Sequence, residues 1–493
     1  MSLDPRTPVI VGVGQHVHRP DEPEPTSPIA LMAEALRAAA ADARLAGVPA
    51  AVDSVRVVSF LSYRAGNPGW LLAEELGISA REHAVTTMGG NSPQSLVNRT
   101  ALDIVGGLAD IVVVTGAEAW RTRMQARKAG TRREWPVAPE DKPPVTIGED
   151  FEMTHQAETA KGVYMPVQVY PMFDTAIRAA LGHTPEDHVA TIADLWSRFS
   201  HVAAGNPYAW LRQPKSPEEI AAVTPQNRII GLPYRKVMNS NNDVDMGAAL
   251  IMCSVEKAES LGIARDRWVF LHAGTDCHEH NFVSNRWSFN DTPAIRLGGR
   301  RALDLAGVGI DDVAIVDLYS CFPSAVQLGA ASLGLGLDRQ LTRTGGMAFA
   351  GGPWNNYVMH AIATVVGELR ESPGERGLVW GNGGYVTKHS FGVYGTEPPP
   401  DGFRYEYPQD EIDALPRREV AEGNAATGPA DVEAYTVMFD RDGNAELAIA
   451  ACLLGDGRRA WATSGHRDVT AAMTDGEWVG RRVVLGENGE LRV

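Results

Sequence analysis

The chain has 493 residues, 44% hydrophobic and 22% charged, with a net charge of −16. That length exceeds what one hydrophobic core usually supports, so two to four structural units are expected in an ordinary globular protein. The acidic balance argues against nucleic acid as a partner, which needs clustered Lys and Arg, and no apolar run approaches the length of a membrane span.

The opening Met-Ser-Leu-Asp-Pro-Arg-Thr-Pro carries no apolar targeting core, and Cys253, Cys277, Cys321 and Cys452 lie far apart without a CxxC pair. Reduced thiols and a cytoplasmic location are expected. Along the chain, the apolar run Val9 to Gly14 precedes an Ala-rich amphipathic helix over Pro28 to Leu45. Strand-like Val55 to Leu61, helical Trp70 to Leu76, strand-like His83 to Thr87, a helix from Gln94 to Gly106 and strand-like Asp110 to Thr115 follow, with Gly116-Ala117-Glu118 closing the run. This alternation predicts a βαβαβ layer with buried parallel strands.

Residues 120–235 are longer, more polar and Pro-rich, with helical signals at Met172 to Ala180, Asp187 to Ala203 and Pro217 to Ile220, and read as an inserted subdomain. The sheet pattern returns at Asn242 to Met252, with a helix over Val255 to Leu261. A second cycle then repeats the order of the first: strand Trp268 to Ala273, helix Ala294 to Ala306, strand Val313 to Leu318, helices Ser324 to Leu333 and Asn356 to Leu369, and strands Gly377 to Trp380 and Phe391 to Tyr394. Beyond the Pro398-Pro399-Pro400-Asp401-Gly402 linker the tail is β-patterned, with Asp-Gly turns at Asp442-Gly443 and Asp456-Gly457. It predicts a small β-barrel or sandwich closed by a hairpin of Arg481 to Leu485 with Glu490 to Val493. The expected units are 1–119 with 236–265, 120–235, 266–396 and 397–493.

Several separated motifs resemble the thiolase superfamily. Asn242-Asp243-Val244-Asp245-Met246-Gly247-Ala248-Ala249-Leu250 resembles the strand that closes the first thiolase half, and His183 to Ala209 resembles the loop domain that binds the CoA nucleotide in that family. Tyr319-Ser320-Cys321-Phe322 is similar to the His-Asp-Cys-Phe motif of sterol-carrier-protein-type thiolases, and Thr344-Gly345-Gly346 to Gly351-Gly352-Pro353 to their Ser-Gly-Gly to Gly-His-Pro segment. The resemblance covers residues 8 to 395, and with the tail the chain looks most like thiolase-like proteins of type 1. It implies an α/β duplicated thiolase fold in five α-β-α-β-α layers, with an inserted loop domain and a small C-terminal β-barrel. It also implies an acyl-CoA ligand in lipid metabolism, of the acetyl-CoA acetyltransferase type, and no covalently bound cofactor.

The departures concern the chemistry. In Val85-Thr86-Thr87-Met88-Gly89-Gly90-Asn91-Ser92-Pro93-Gln94 the nucleophilic cysteine of the resemblance is Gly89, the Gly-His-Pro histidine is Gly352, and the His of the other motif is Tyr319. No cysteine occurs between Met1 and Met252, so no local shift of alignment restores the nucleophile. Loss of an activated nucleophile costs on the order of 10⁶ in turnover, so thiolysis through an acyl-cysteine is not expected. Ser92 has the helix dipole but no adjacent base, and its simplest role is the N-cap of a helix with Pro93 at its first position.

Tyr319 and Cys321 remain as candidate catalytic residues. Tyr319 is similar in position to a tyrosine that thiolase-like retro-aldolases use on β-hydroxyacyl-CoA, though that family's second tyrosine falls at Gly352 and the nearest here is Tyr357. A packed aromatic and an inert buried thiol are the competing readings of the two. Gly89, Gly90, Gly352, Asn382 and Gly383 are candidate pocket and oxyanion positions, because small residues let backbone N–H groups approach a thioester oxygen. Within Gly381-Asn382-Gly383-Gly384-Tyr385 a plain turn is the alternative, and Lys388-His389 could reach a pocket, although a lone His beside Lys is more often a surface pair.

Gly12-Val13-Gly14 lacks the third glycine and the following helix of a dinucleotide site, and Cys277-His278-Glu279-His280 has no metal-ligand spacing. Two functions stay open: carbon–carbon bond chemistry on a CoA thioester without a covalent intermediate, such as retro-aldol cleavage by Tyr319, and silent binding of acyl-CoA or a protein partner. The acidic Asp410, Glu411, Asp431 and Glu433 argue against nucleic acid on the C-terminal unit, which resembles the small β-barrel partners of thiolase-like lyases. Monomer and homodimer are both compatible with the pattern.

Overall fold

The computed structural model describes residues 3–22 and 24–492. Its first half contains β1 (Pro8–Val17), α1 (Pro28–Asp42), β2 (Ala51–Val57), α2 (Pro68–Leu76), β3 (Ser79–Thr86), α3 (Ser92–Val105) and β4 (Ile111–Ala119). The next segment carries α4 (Trp120–Lys128), β5 (Val145–Ile147), α5 (Gln156–Thr159), α6 (Pro166–Leu181), α7 (Pro185–Gly205), α8 (Pro217–Ala221), β6 (Ile229–Gly231) and β7 (Tyr234–Arg235). Then β8 (Asp245–Ser254) and α9 (Val255–Ser260) return to the sheet.

The second half runs β9 (Val269–His278), α10 (Pro293–Ala306), β10 (Ile315–Leu318), α11 (Pro323–Leu333), α12 (Gly346–Phe349), α13 (Tyr357–Glu371), β11 (Arg376–Gly383) and β12 (Lys388–Gly395). The tail adds β13 (Arg404–Glu406), α14 (Gln409–Asp413), β14 (Gly428–Phe439), β15 (Ala445–Leu454), β16 (Arg459–Ser464), α15 (Arg467–Thr474), β17 (Arg482–Leu485) and β18 (Leu491–Arg492).

Local signals set the helix ends. Ser27 accepts from Ala30 N and Pro28 opens α1, which buries Ile29, Met32, Ala33, Leu36 and Ala40 at helical spacing. Gly307 and Gly334 close α10 and α11 in the left-handed conformation.

The duplication is written in the pairing. In the first half β2 is parallel to β3 and β4, β4 antiparallel to β8, and β8 antiparallel to β1. In the second, β10 is parallel to β11, β11 antiparallel to β12, and β12 antiparallel to β9. The counterpart of β3 is only an extended segment, where Leu318 N donates to Leu341 O at 2.9 Å. The two half-sheets join by antiparallel pairing of Val9 with Phe270 and Ile10 with Val269 into one hydrogen-bonded sheet of eleven strands.

Helices α3 and α13 form the central layer, α1 and α2 cover the outside of the first sheet, and α10 and α11 the outside of the second. Several element boundaries differ from expectation: β2 lies at Ala51–Val57 where Val55 to Leu61 was expected, and β9 runs on to His278, past Ala273, because it pairs with β12 as far as Lys388. Beta-4 runs past Gly116 because Glu118 and Ala119 still pair with Met246 and Asp245. Residues 145–147, assigned to the inserted segment, add β5 in parallel to the free edge of β3. Beta-11 continues to Gly383, with Asn382 opposite His389.

The tail forms an antiparallel sheet in the order β16-β15-β14-β17-β18, to which β6 adds through Met438 and Gly231. A single bridge, Thr463 with Glu490, touches both ends; ladders closing a full barrel are not among the described pairs. The closing hairpin pairs β17 with β18, and Val493 lies outside the described residues.

Arg459 ties this module to the core. Fully buried, it donates to both carboxylate oxygens of Glu433 at 2.8 Å, and to the carbonyls of Val283 (3.0 Å), Ser284 (2.8 Å) and Arg286 (2.6 Å). Removing one partner of a buried pair strands the other, so Arg459→Met is expected to cost about 3–5 kcal/mol in denaturant unfolding. A loss under about 1 kcal/mol would show that the module is held by other contacts.

Across the core, Asn98 of α3 donates to Thr275 O (3.4 Å), Phe391 O (3.2 Å) and Asp276 Oδ2 (3.1 Å), and accepts from Gln94 Nε2 at 2.9 Å. Gly274 and Gly392 leave room for these amides, since a Cβ on either would collide with Asn98 or Gln94. We expect Gly274→Ala to destabilise by about 1–3 kcal/mol, against under about 0.5 kcal/mol for Gly47→Ala, where a Cβ meets nothing within 4 Å. Equal unfolding midpoints for the two variants would contradict this.

Candidate functional site

The turn between β3 and α3 meets the end of β11 at the centre of the molecule. A Cβ on Gly383 would lie 2.6 Å from Asn91 Oδ1 and 3.2 Å from both Gly89 Cα and Gly90 N, so the two glycine segments are in direct contact. A side chain at Gly89 would collide with Asn91 Oδ1, and one at Gly90 with Tyr319 Oη, lying 2.5 Å from Asn382 O. The volume beside position 89 is therefore filled by the Asn91 carboxamide, whose Nδ2 donates to Ser390 Oγ at 3.2 Å. Gly89 N donates to Asn355 Oδ1 at 3.2 Å, and Asn355 Nδ2 donates to Ser59 O at 2.8 Å.

Asn91, not Ser92, occupies the N-cap position of α3, and its side chain makes no capping bond. Ser92 instead lies in the first turn and donates its hydroxyl to Thr87 O at 3.1 Å. This corrects the N-cap assignment by one residue, and it leaves Ser92 without a base.

Tyr319 follows β10 and is buried, with its hydroxyl against Gly90 and its ring edge-on to Tyr357, centroids 5.7 Å apart. Burial, with Cys321 and Tyr357 close by, pushes its phenol well above the ordinary value. Tyr357 donates toward Asp317 Oδ1 at 3.4 Å and shares a 2.7 Å bond with Thr344 Oγ1. Burial pushes the Asp317 carboxyl up to about 7, against the opposing pull of the Arg343 and Thr344 backbone N–H groups. Burial likewise pushes the Cys321 thiol up to about 12, with the Tyr170 hydroxyl as its lesser counterweight.

Tyr170 is the organiser on that side. Its hydroxyl donates to Gly384 O at 2.9 Å and accepts from Asn382 Nδ2 at 3.0 Å and Val386 N at 3.3 Å, while its ring stacks on Phe322 at 4.5 Å. The Asn382 amide is thus committed to Tyr170. At Gly352, a Cβ would strike Ser240 Oγ, and the residue's own N–H donates to Asn241 O at 2.8 Å. Buried Asn91 Oδ1, Asn382 Oδ1 and Ser240 Oγ have no hydrogen-bond partner.

Lys388 and His389 are buried in β12 and are not a surface pair. Lys388 Nζ donates to Met88 O at 3.0 Å, immediately before the turn, and lies 4.7 Å from the centre of the Phe151 ring. A cavity of about 490 Å³ opens beside the turn, lined in part by Met88, Asn91, Ser92, Phe151, Asp276 and Lys388, with neither Tyr319 nor Cys321 in its wall. In the same cavity wall, Cys277 donates toward Ala294 O at 3.4 Å and His278 Nδ1 lies 2.8 Å from Glu279 O.

The structure of a monomeric SCP2-thiolase-like protein type 1 from Mycobacterium smegmatis is 32% identical to this chain, covering 99% of it and 98% of that protein, with a TM-score of 0.83. The chain belongs to that family. The family model for the additional C-terminal domain of thiolase-like protein type 1 matches residues 408–490. More distant structures share the fold: the Ltp2-ChsH2(DUF35) aldolase (20% identity, 79% of this chain, 98% of that one, TM-score 0.59) and the acetyl-CoA acetyltransferase of Syntrophomonas wolfei (18%, 79%, 99%, 0.55). No curated protein matches by sequence.

For a thiolase-like protein type 1, the turn, Tyr319, Cys321 and Asn382 converge on one place, whereas Gly352 packs on Ser240 and is linked to the turn only through its neighbour Asn355. Sequence reasoning missed Asn91, Tyr170 and Asn355, and favoured a surface pair over the pocket for the inward Lys388. Only the alternation of β12, which puts Lys388 and Ser390 on one face, carries a hint of the last.

Restoring a thiol alone is expected to be futile here. Gly89→Cys should lower stability by about 1–3 kcal/mol through the clash with Asn91. Intact-mass spectrometry after incubation with acetyl-CoA should show no acyl adduct, and an acylated variant would mean that Asn91 yields the space.

Proposed function

We propose that this protein binds a coenzyme A thioester and forms no acyl-enzyme, as a thiolase-superfamily member whose covalent apparatus is replaced by packing. The observation that carries the reading is the Asn91 carboxamide standing where a side chain at position 89 would go, in a chain with no cysteine before Cys253. The cavity of about 490 Å³ against the turn supports a ligand there, and Asn91, which lines it, carries an unpartnered Oδ1 that such a ligand would satisfy.

A second reading, retro-aldol cleavage of a β-hydroxyacyl-CoA, rests on the Tyr319 hydroxyl against Gly90, and requires the thioester to pass beyond the cavity wall, which Tyr319 does not line. Burial holds that phenol protonated, which suits it to donate a hydrogen bond to a developing enolate oxygen rather than to act as a base.

Calorimetric titration with CoA, acetyl-CoA and a longer acyl-CoA is expected to give saturable binding, with no thiolysis under the same conditions. No heat at millimolar ligand removes the CoA reading; thiolysis with a trapped acyl-protein overturns the non-covalent one. If a β-hydroxyacyl-CoA is cleaved, Tyr319→Phe should lose most of the turnover, on the order of 10²–10⁴, with little change in affinity. Unchanged turnover in that variant would remove Tyr319 from the chemistry.

A further inference from the structure

In a chain of net charge −16, one stretch has the opposite sign: residues 120–135 contain Arg121, Arg123, Arg127, Lys128, Arg132 and Arg133 against Glu134 alone. The segment is α4 and the loop that follows it. It faces the loop leaving β2, and between them lies a cavity of about 960 Å³. Arg64, Arg123, Arg127, Arg132 and Arg133 line it, and Glu134 is the one carboxylate in the wall.

Among the described residues none of these five guanidinium groups enters an ion pair, whereas their neighbour Arg121 is paired with Asp243 at 2.8 Å. Five like charges around one concavity repel one another, and the arrangement is relieved by a bound polyanion.

The cavity is also aromatic. Phe60 and Tyr63 have ring centroids 5.5 Å apart, and Tyr63 and Trp135 lie 5.0 Å apart. The Tyr63 hydroxyl is buried and has no hydrogen-bond partner. Arg123 is held in place by a 2.7 Å bond to Leu61 O and by the Trp120 ring, 4.8 Å from its guanidinium carbon. The opposite wall is fixed from below: Leu61 N and Ser62 Oγ donate to the Glu118 carboxylate at 2.6 and 2.5 Å.

The site sits beyond the carboxyl ends of parallel β2 and β4, where ligands settle in open α/β sheets. It is a different place from the segment His183 to Ala209. Through Ser59, which precedes Phe60 and accepts from Asn355 Nδ2, its wall is continuous with the Gly89 turn.

We propose that this cavity binds the diphosphate of an adenosine-diphosphate-type group, with the guanidinium forks on the phosphates and the base against Trp135 and Tyr63. Planar guanidinium groups suit phosphate oxygens, and stacked rings suit a base. One concavity of this size accommodates one nucleotide unit, and the acidic remainder of the chain opposes a polynucleotide.

The test uses the full chain and ADP, inorganic pyrophosphate, adenosine and CoA as calorimetric probes. ADP is expected to bind, pyrophosphate more weakly, and adenosine least. In the Arg132→Glu/Arg133→Glu variant, ADP affinity should fall about tenfold or more. The milder Arg127→Ala/Arg132→Ala pair guards against misfolding, and unchanged melting temperatures confirm the comparison. A parallel loss for CoA identifies the group as the head of a CoA ligand, and unchanged CoA binding identifies a free nucleotide. No ADP binding at millimolar concentration, or equal ADP affinity in wild type and both variants, overturns the proposal. ADP carries no thioester, so this result stands apart from the reading of the Gly89 turn.

Discussion

Buried carboxamides passing through glycine gaps hold the two halves of this fold together. Gln94 and Asn98 of α3 enter the second sheet at Gly392 and Gly274, and Asn356, at the start of α13, donates to Gly116 O of the first at 2.5 Å. A buried amide is costly unless its hydrogen bonds are met, and a strand can meet them only where no Cβ stands between; of these three amides Asn356 keeps one atom, Oδ1, without a partner. Tyr394 Oη completes the set by donating to Gln94 Oε1 at 2.6 Å. This interlock sets how deep α3 sits, and the depth of α3 in turn brings the Gly89 turn against Gly383.

The centre of the molecule follows from that depth. With the glycine segments in contact, the room that reactive side chains would need is taken by Asn91, Tyr319 and Ser240. The groups that remain are poor nucleophiles: burial raises Tyr319, Cys321 and Asp317 alike, which shifts each toward its neutral form. The cost of such packing shows in acceptors left without donors at Asn91 and Asn382. Strain of that sort accumulates where a protein meets its ligand.

Much of the fold was legible because it is periodic. The strand and helix order of both halves, the Asp-Gly hairpins of the tail and the empty position 89 each depend on residues close in sequence. What escaped depends on distant register. Beta-5 joins β3 from about 60 residues away, Lys388 reaches Met88 O only because β12 lies beside the turn, and Tyr170 touches Asn382 from α6. Ser92 looked like a cap because Ser-Pro opens many helices, yet its hydroxyl found Thr87 O first. The arginine-rich run after β4 was readable as charge but not as a cavity, since its other wall comes from the β2 loop.

The docking of the tail also has a consequence for how the chain is made. Carbonyls of Val283, Ser284 and Arg286 wait for Arg459, the Thr175 hydroxyl of α6 donates to Tyr435 O, and β6 has its sheet partner in β14. A ribosome releases the chain from its N-terminus, so both halves emerge before the groups that satisfy these positions exist. Until residues 435–459 leave the exit tunnel, the nascent protein presents unmet polar backbone and uncovered apolar surface, a stage at which chaperones would find their target.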